Sequence, residues 1–234
     1  MVFLVHGYNV DAQDAFNTHK ELEDNIGSAL RAAGISKPVF VTFSWPAQGS
    51  FFNYLEDDQD ARRAALDLIT SGLALFAAFT EPGCRIKTHV MAHSMGALVV
   101  REALRASVGH TPTREAAWSI TNLIFYGADI SRGSLNRKEG RRLLEKSQTF
   151  TNYFSRDDAA LQTSNAKRAL FSPRLGAVGA PDDVTPLMSD IDMTDHWLSI
   201  KDTNDDRLFA DIPFSHTFYR SDPVFARDVA MVIR

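Results

Sequence analysis

The segment Thr88-His89-Val90-Met91-Ala92-His93-Ser94-Met95-Gly96-Ala97 runs from an apolar strand pattern through Ala-x-Ser-x-Gly and straight into a helical pattern. A serine on so sharp a strand-to-helix turn is held in a strained backbone conformation, so the positions two before and two after it must be small. Ala92 and Gly96 meet that demand. The turn aims the hydroxyl at the start of the next helix, where unpaired N–H groups and the dipole favour developing negative charge. These residue types point to Ser94 as a nucleophile, with the Met95 amide as one oxyanion donor. The pentapeptide alone is also an ordinary tight turn. Its setting between strand and helix gives it chemical meaning.

Such a serine needs a rigid sheet beneath it, and the chain alternates short β-rich runs with helical patterns. That alternation is the signature of a mostly parallel sheet covered by helices. The strand runs are Val2–Val5, Val39–Phe43, Ile86–Met91, Asn122–Tyr126 and Gln148–Phe154, with a weaker sixth at Asp190–Thr194. Continuous apolar character in the first four suits strands buried on both faces. Helices are expected at Asp11–Ala33, Asp57–Phe79, Ala97–Ala106, Asp157–Leu170 and Val224–Ile233, the first stopped by Gly34 and the last opened by Pro223. Gly127–Lys138 reads as a loop leading into a short helix. Ser172–Pro186, rich in Pro, Gly and Asp, reads as a mobile surface loop.

A second chemical signal lies at the start. Val2-Phe3-Leu4-Val5-His6-Gly7-Tyr8-Asn9 is a buried strand ending in His-Gly. Gly7 allows close backbone approach, which makes the Tyr8 amide the natural second oxyanion donor. The His6 ring is expected to hold that loop by hydrogen bonds and to take no direct part in chemistry.

Together these segments resemble the α/β-hydrolase superfamily and, more narrowly, a bacterial branch of it whose biological role is unassigned. The resemblance rests on His6-Gly7-Tyr8-Asn9, Phe43-Ser44-Trp45-Pro46, Ala92-His93-Ser94-Met95-Gly96 and Tyr126-Gly127-Ala128-Asp129. It continues in Ser155-Arg156-Asp157-Asp158-Ala159-Ala160-Leu161 and Ser215-His216. Two departures stand out. Ala92 replaces the usual first glycine of the elbow, and the chain begins directly at the oxyanion strand, which implies a compact α/β-hydrolase sheet of about six strands.

The resemblance implies the order nucleophile, acid, histidine. Of seven histidines, His196 and His216 follow the strand that should precede the acid. His216 lies in Pro213-Phe214-Ser215-His216-Thr217-Phe218-Tyr219, a loop before the terminal helix. His196 adjoins Trp197 in a more apolar run and reads as a packed ring. Matching Asp-x-Ala-Leu to the similar sequences places the carboxylate on Asp158. Asp157 and Asp129 stay open as alternatives, because acids at a helix start also serve as ordinary caps and some α/β-hydrolases carry the acid after the preceding strand. The implied activity is hydrolysis of a small-molecule ester or other acyl substrate by Ser94, His216 and Asp158 through an acyl-enzyme. A lipase, thioesterase or amidase would use the same residues, and a non-catalytic module of the same fold is the rival from another class.

Composition narrows the field. A chain of 234 residues fits one domain with a substantial core. The net charge of -4 gives no basic face for nucleic acid. The single cysteine, Cys84, excludes an intrachain disulfide and a thiolate-rich zinc site, and favours a reducing, cytoplasmic setting. No cofactor or metal is called for. The most apolar later stretch, Leu66 to Phe79, is broken by Asp67, Thr70, Ser71 and Gly72, so no transmembrane segment is expected. Only about twenty residues separate Asp129 from Gln148, too few for a cap domain. Tyr8, Trp45, Phe51, Phe52 and Tyr54 are aromatics that could line an acyl pocket or simply pack in the core.

Overall fold

The structure, a computed structural model, describes residues 1–7, 10–46, 54–73, 86–109, 118–167, 173–184, 188–201, 208–209 and 212–234. Six strands form one sheet: β1 (Val2–Val5), β2 (Phe40–Phe43), β3 (His89–His93), β4 (Ile120–Tyr126), β5 (Ser147–Phe154) and β6 (Met188–Asp192). Their order is β2-β1-β3-β4-β5-β6, and every neighbouring pair is parallel. A two-stranded antiparallel ribbon, β7 (Leu208–Phe209) with β8 (Ile212–Pro213), stands apart.

Side chains alternate across this sheet with period two. Val2 and Leu4 of β1 pack into a core with Leu22, Ile26 and Leu30 of α1 (Ala12–Ala32) and Phe225 and Val229 of a C-terminal helix, Pro223–Ile233. Phe3 and Val5 face the opposite core. There they meet Ala61, Ala64 and Ala65 of α2 (Tyr54–Asp67) and Leu98, Val99 and Ala103 of α3 (Gly96–Ala106). Burying one such Leu or Phe is worth roughly 1.5–3 kcal/mol, so helices on both faces are the only way β1 and β3 can be satisfied.

Between β4 and β5 run a 3-10 turn (Arg132–Ser134) and α4 (Lys138–Glu145). After β5 come α5 (Ala159–Lys167), α6 (Leu175–Val178), then β6 and α7 (Thr194–Ile200). α8 (Phe214–Thr217) follows β8, and the C-terminal helix is α9. Asp11 caps α1 by accepting from the Asp14 N–H at 2.8 Å. Gly34, at φ +94°, follows the helix's end. Asp222 caps α9, whose first residue is Pro223.

Several boundaries differ from expectation, each for a local reason. β3 starts at His89 and runs on to His93, past the expected end at Met91, because both histidines are buried despite their polarity. β6 ends at Asp192, where the Asp192 carboxylate accepts the Thr194 N–H and turns the chain into α7. The second helix begins at Tyr54 and passes into a π-helical turn over Leu68–Leu73. Thr70 Oγ1 donates to the carbonyls of Leu66 and Asp67 there, the sort of competing bond that distorts a helix. The remainder of that expected helix to Phe79, Cys84, and the end of the fourth expected helix at Leu170 lie outside the described residues.

The largest correction concerns Ser172–Pro186. Its described part, 173–184, is not a surface loop: Arg174, Leu175, Gly176 and Ala177 are buried. The Leu175 N–H donates to Ile130 O, Gly176 N–H to Ala128 O, and Ser155 N–H to Gly176 O. The segment is thus laid between the chain leaving β4 and the chain leaving β5.

Candidate active site

In an open parallel sheet, ligands bind outside the carboxyl ends of the strands, where the strand order reverses. Here the reversal falls between β1 and β3, and those ends carry His6-Gly7 and Ser94. Ser94 sits at φ +54° and is the non-glycine residue with positive φ among those described. Its N–H donates to Tyr126 O, and its own carbonyl accepts the N–H groups of Ala97 and Asp129 at 3.1 Å each. α3 begins two residues later. A Cβ on Gly96 would lie 2.4 Å from Val5 O, so only glycine lets the helix start press against the end of β1. A Cβ on Gly7 would lie 2.7 Å from Ser94 Cβ, which places the β1 loop directly against the serine.

His216, on α8, is buried and donates through Nδ1–H to Asp158 Oδ2 at 2.6 Å. That bond fixes the tautomer and leaves Nε2 as the acceptor. The other carboxylate oxygen, Asp158 Oδ1, accepts the Leu161 N–H at 3.0 Å and so caps α5. One carboxylate therefore serves helix and imidazole together. Ser215 Oγ accepts the Ala159 N–H at 3.2 Å, tying α8 to the same helix start. The ring lies over the end of β4, since a Cβ on Gly127 would stand 3.2 Å from His216 Cε1. No hydrogen bond joins Ser94 Oγ to His216 Nε2 among the described residues.

Three other residues brace the arrangement. His93 donates through Nε2–H to the His216 carbonyl at 2.9 Å, and its ring stands 4.6 Å from the His216 ring. Burial first, with the neighbouring His216 ring and the Arg220 charge, holds His93 well below the ordinary histidine range, so it stays neutral. His6 accepts the Trp45 N–H at Nε2, which obliges Nδ1–H to donate to Gly7 O at 2.9 Å. Burial pushes His6 down to about 4. Trp45 Nε1–H donates to His6 O, and the two rings stack 5.6 Å apart. Trp45 is thus a clamp on the β1 loop, buried in the core and not an exposed pocket wall.

The alternative candidates for the acid are engaged elsewhere. Asp157 Oδ2 accepts the Trp197 Nε1–H at 2.9 Å. Asp129 accepts from Ser164 Oγ and pairs with Arg174. His196 bonds Asp222 Oδ2 at 2.7 Å. Tyr8, the expected second oxyanion donor, lies outside the described residues, as do Phe51 and Phe52. The Met95 N–H has no acceptor among the described residues, as an oxyanion donor requires. Sequence reasoning missed the roles of His93 and Arg174. His93 was visible as the residue before the serine, and Arg174 as a lone charge beside the apolar run Leu175-Gly176-Ala177-Val178. Among the described residues no group of His, Cys, Asp and Glu has the arrangement to hold a metal ion, and no helix is long and apolar enough to cross a membrane.

A six-stranded parallel sheet with helices on both faces and a left-handed serine at the β3 elbow defines an α/β-hydrolase fold. The family model described as "Alpha/beta hydrolase of unknown function (DUF900)" matches residues 1–225, and the chain belongs to that family. No curated protein matches it.

Proposed function

We propose that the protein is a serine hydrolase that cleaves carboxylic esters of small molecules through Ser94, His216 and Asp158. The observation that carries the reading is the 2.6 Å bond between two buried side chains, His216 and Asp158, with the His216 ring over the end of β4, to which the N–H of Ser94, a serine held at φ +54° at the switch point of the sheet, also bonds. A buried imidazole with one nitrogen committed to a carboxylate has its other nitrogen available as a base. In the reaction, His216 Nε2 takes the Ser94 proton as Oγ attacks the acyl carbon. The imidazolium is stabilised by Asp158, and the oxyanion is met by the Met95 N–H and, from the β1 loop, the Tyr8 N–H. His216 then gives the proton to the leaving alcohol. Water, deprotonated by the same ring, releases the acid from the acyl-enzyme. The single cysteine favours a reducing compartment for this activity.

The test is labelling by a fluorophosphonate probe together with turnover of p-nitrophenyl esters. The wild-type protein should be labelled and active, and S94A should show neither while keeping its circular-dichroism spectrum. A folded S94A protein with wild-type turnover rules the reading out. A wild-type protein that neither labels nor turns over any ester, thioester or amide points to the non-catalytic module.

A further inference from the structure

Asp129 and Arg174 are both buried, 5% and 2% exposed, and Arg174 Nε lies 3.0 Å from Asp129 Oδ1. The contact is an ion pair lying off the hydrogen-bond line. The same oxygen accepts from Ser164 Oγ, also at 3.0 Å, and Ser164 belongs to α5. The Asp129 N–H donates to the carbonyl of Ser94 at 3.1 Å. A continuous line therefore runs from the Ser94 backbone through Asp129 to α5, the helix that Asp158 caps. Arg174 is anchored in turn: the Arg132 N–H donates to Pro173 O at 2.9 Å, and Ser131 bridges to Arg174 itself.

From this geometry we infer that the Asp129–Arg174 pair is a strut setting the distance between the nucleophile turn and the helix that carries the acid, with Arg174 as a positioning residue. The inference rests on the hydrolase reading above. A buried ion pair is a weak stabiliser, since apolar side chains of similar volume often replace one at no loss. What the pair supplies is direction. Asp129 cannot turn away without leaving the Arg174 charge buried and unpaired, so the Ser94 carbonyl and Ser164 stay in fixed register. Misplacing reacting groups by about 1 Å can cost on the order of a hundredfold in rate. The pair also keeps the Asp129 carboxylate engaged with Arg174 and Ser164, away from the role of acid.

The test is the double variant D129L/R174M, which removes both charges together, measured beside wild type and S94A. Fluorophosphonate labelling rate, kcat and KM for a soluble p-nitrophenyl ester, and thermal melting are read for each. The strut predicts a folded double variant whose kcat and labelling rate fall about 10- to 100-fold while KM stays within about threefold. A folded double variant with wild-type kcat, altered only in melting temperature, overturns the inference and leaves the hydrolase reading standing. If the double variant does not fold, S164A takes its place, because it cuts the α5 end without stranding a charge. It should lower kcat severalfold at unchanged KM, and wild-type kcat in S164A is equally decisive against the strut. Failure of wild-type labelling removes the hydrolase reading and this inference together.

Discussion

Ser94 holds a backbone conformation that costs an L-residue roughly 1–2 kcal/mol. Glycine escapes that cost, and alanine does not. S94A and S94G should therefore both be inert, while S94G resists urea better than S94A by about 1 kcal/mol; equal unfolding midpoints would deny the strain. At Asp158 one side chain faces two donors, the Leu161 N–H and His216 Nδ1–H. Asparagine caps a helix as well as aspartate does, so D158N should keep α5 and lose the imidazole's anionic partner. In a model triad the equivalent change lowers turnover about ten-thousand-fold. D157N should leave turnover nearly unchanged, since an asparagine oxygen can still accept the Trp197 Nε1–H, and D129N should fall far short of the D158N loss. Turnover of the three variants, with folding checked by circular dichroism, ranks them. The sequence displayed Ser94 plainly, because its neighbours Ala92 and Gly96 are small for a stated steric reason. Residue types alone did not separate Asp158 from Asp157, since both sit at a helix start; the family resemblance pointed to Asp158, and the register of the turn after β5 is what brings that carboxylate to the ring.

Helix α3 carries the elbow because Gly96 lets its first turn rest against Val5 O. G96A should push that turn off the end of β1. Labelling and turnover should fall by at least about tenfold, a change of more than about 1.4 kcal/mol in the barrier, with the melting temperature lowered as well. A G96A protein labelled at the wild-type rate would show that the contact is dispensable. Between β4 and β5 there is room only for the 3-10 turn and the eight-residue α4, so no cap domain is inserted there. Hydrolysis of a short-chain ester should accordingly follow a simple saturation curve, with no jump in rate at the substrate's aggregation threshold. The first four strands were legible as apolar runs, whereas the sixth, Met-Ser-Asp-Ile-Asp and half exposed, gave only a weak pattern. The long helices showed as three-to-four-residue periodicities, the first stopped by Gly34 and the last opened by Pro223. The short α6, α7 and α8 did not show, and α8 carries His216 where a loop was expected. Nor was the segment 173–184 legible. Its Pro, Gly and Asp content is that of a surface loop, whereas its burial depends on Arg174 finding Asp129, a distant partner in the chain that no local pattern announces.

Over the whole molecule the buried histidines set the response to acid. His6 and His89 are each held at about 4 by burial, and His93 is held well below its ordinary value by burial first and neighbouring charge second. Unfolded, each would titrate near 6.5. At neutral pH neither state binds these protons, so nothing is lost. As pH falls from about 6.5 towards 4 the unfolded chain takes them up and the folded one does not, so stability drops across that window. Lowering a ring's titration point by one pH unit corresponds to about 1.4 kcal/mol, so several buried rings held neutral together make stability markedly sensitive to acid. Urea midpoints should fall steeply between about pH 6.5 and 4, and H89Q, at the start of β3 and away from Ser94, should flatten part of that slope. An unchanged slope in H89Q would assign the acid sensitivity to other groups. The strand order has a further consequence, in time and not in energy. β1 lies between β2 and β3, and at the seam with β3 the Met1 ammonium already meets Lys87 O, 86 positions along the chain. During synthesis β1 can pair early with β2, but its other edge must wait for β3. Contacts of such long sequence separation close slowly. Ser94, Gly96 and the end of β1 can come together only at that late closure, so until then a nascent chain lacks the surroundings that would make the serine reactive.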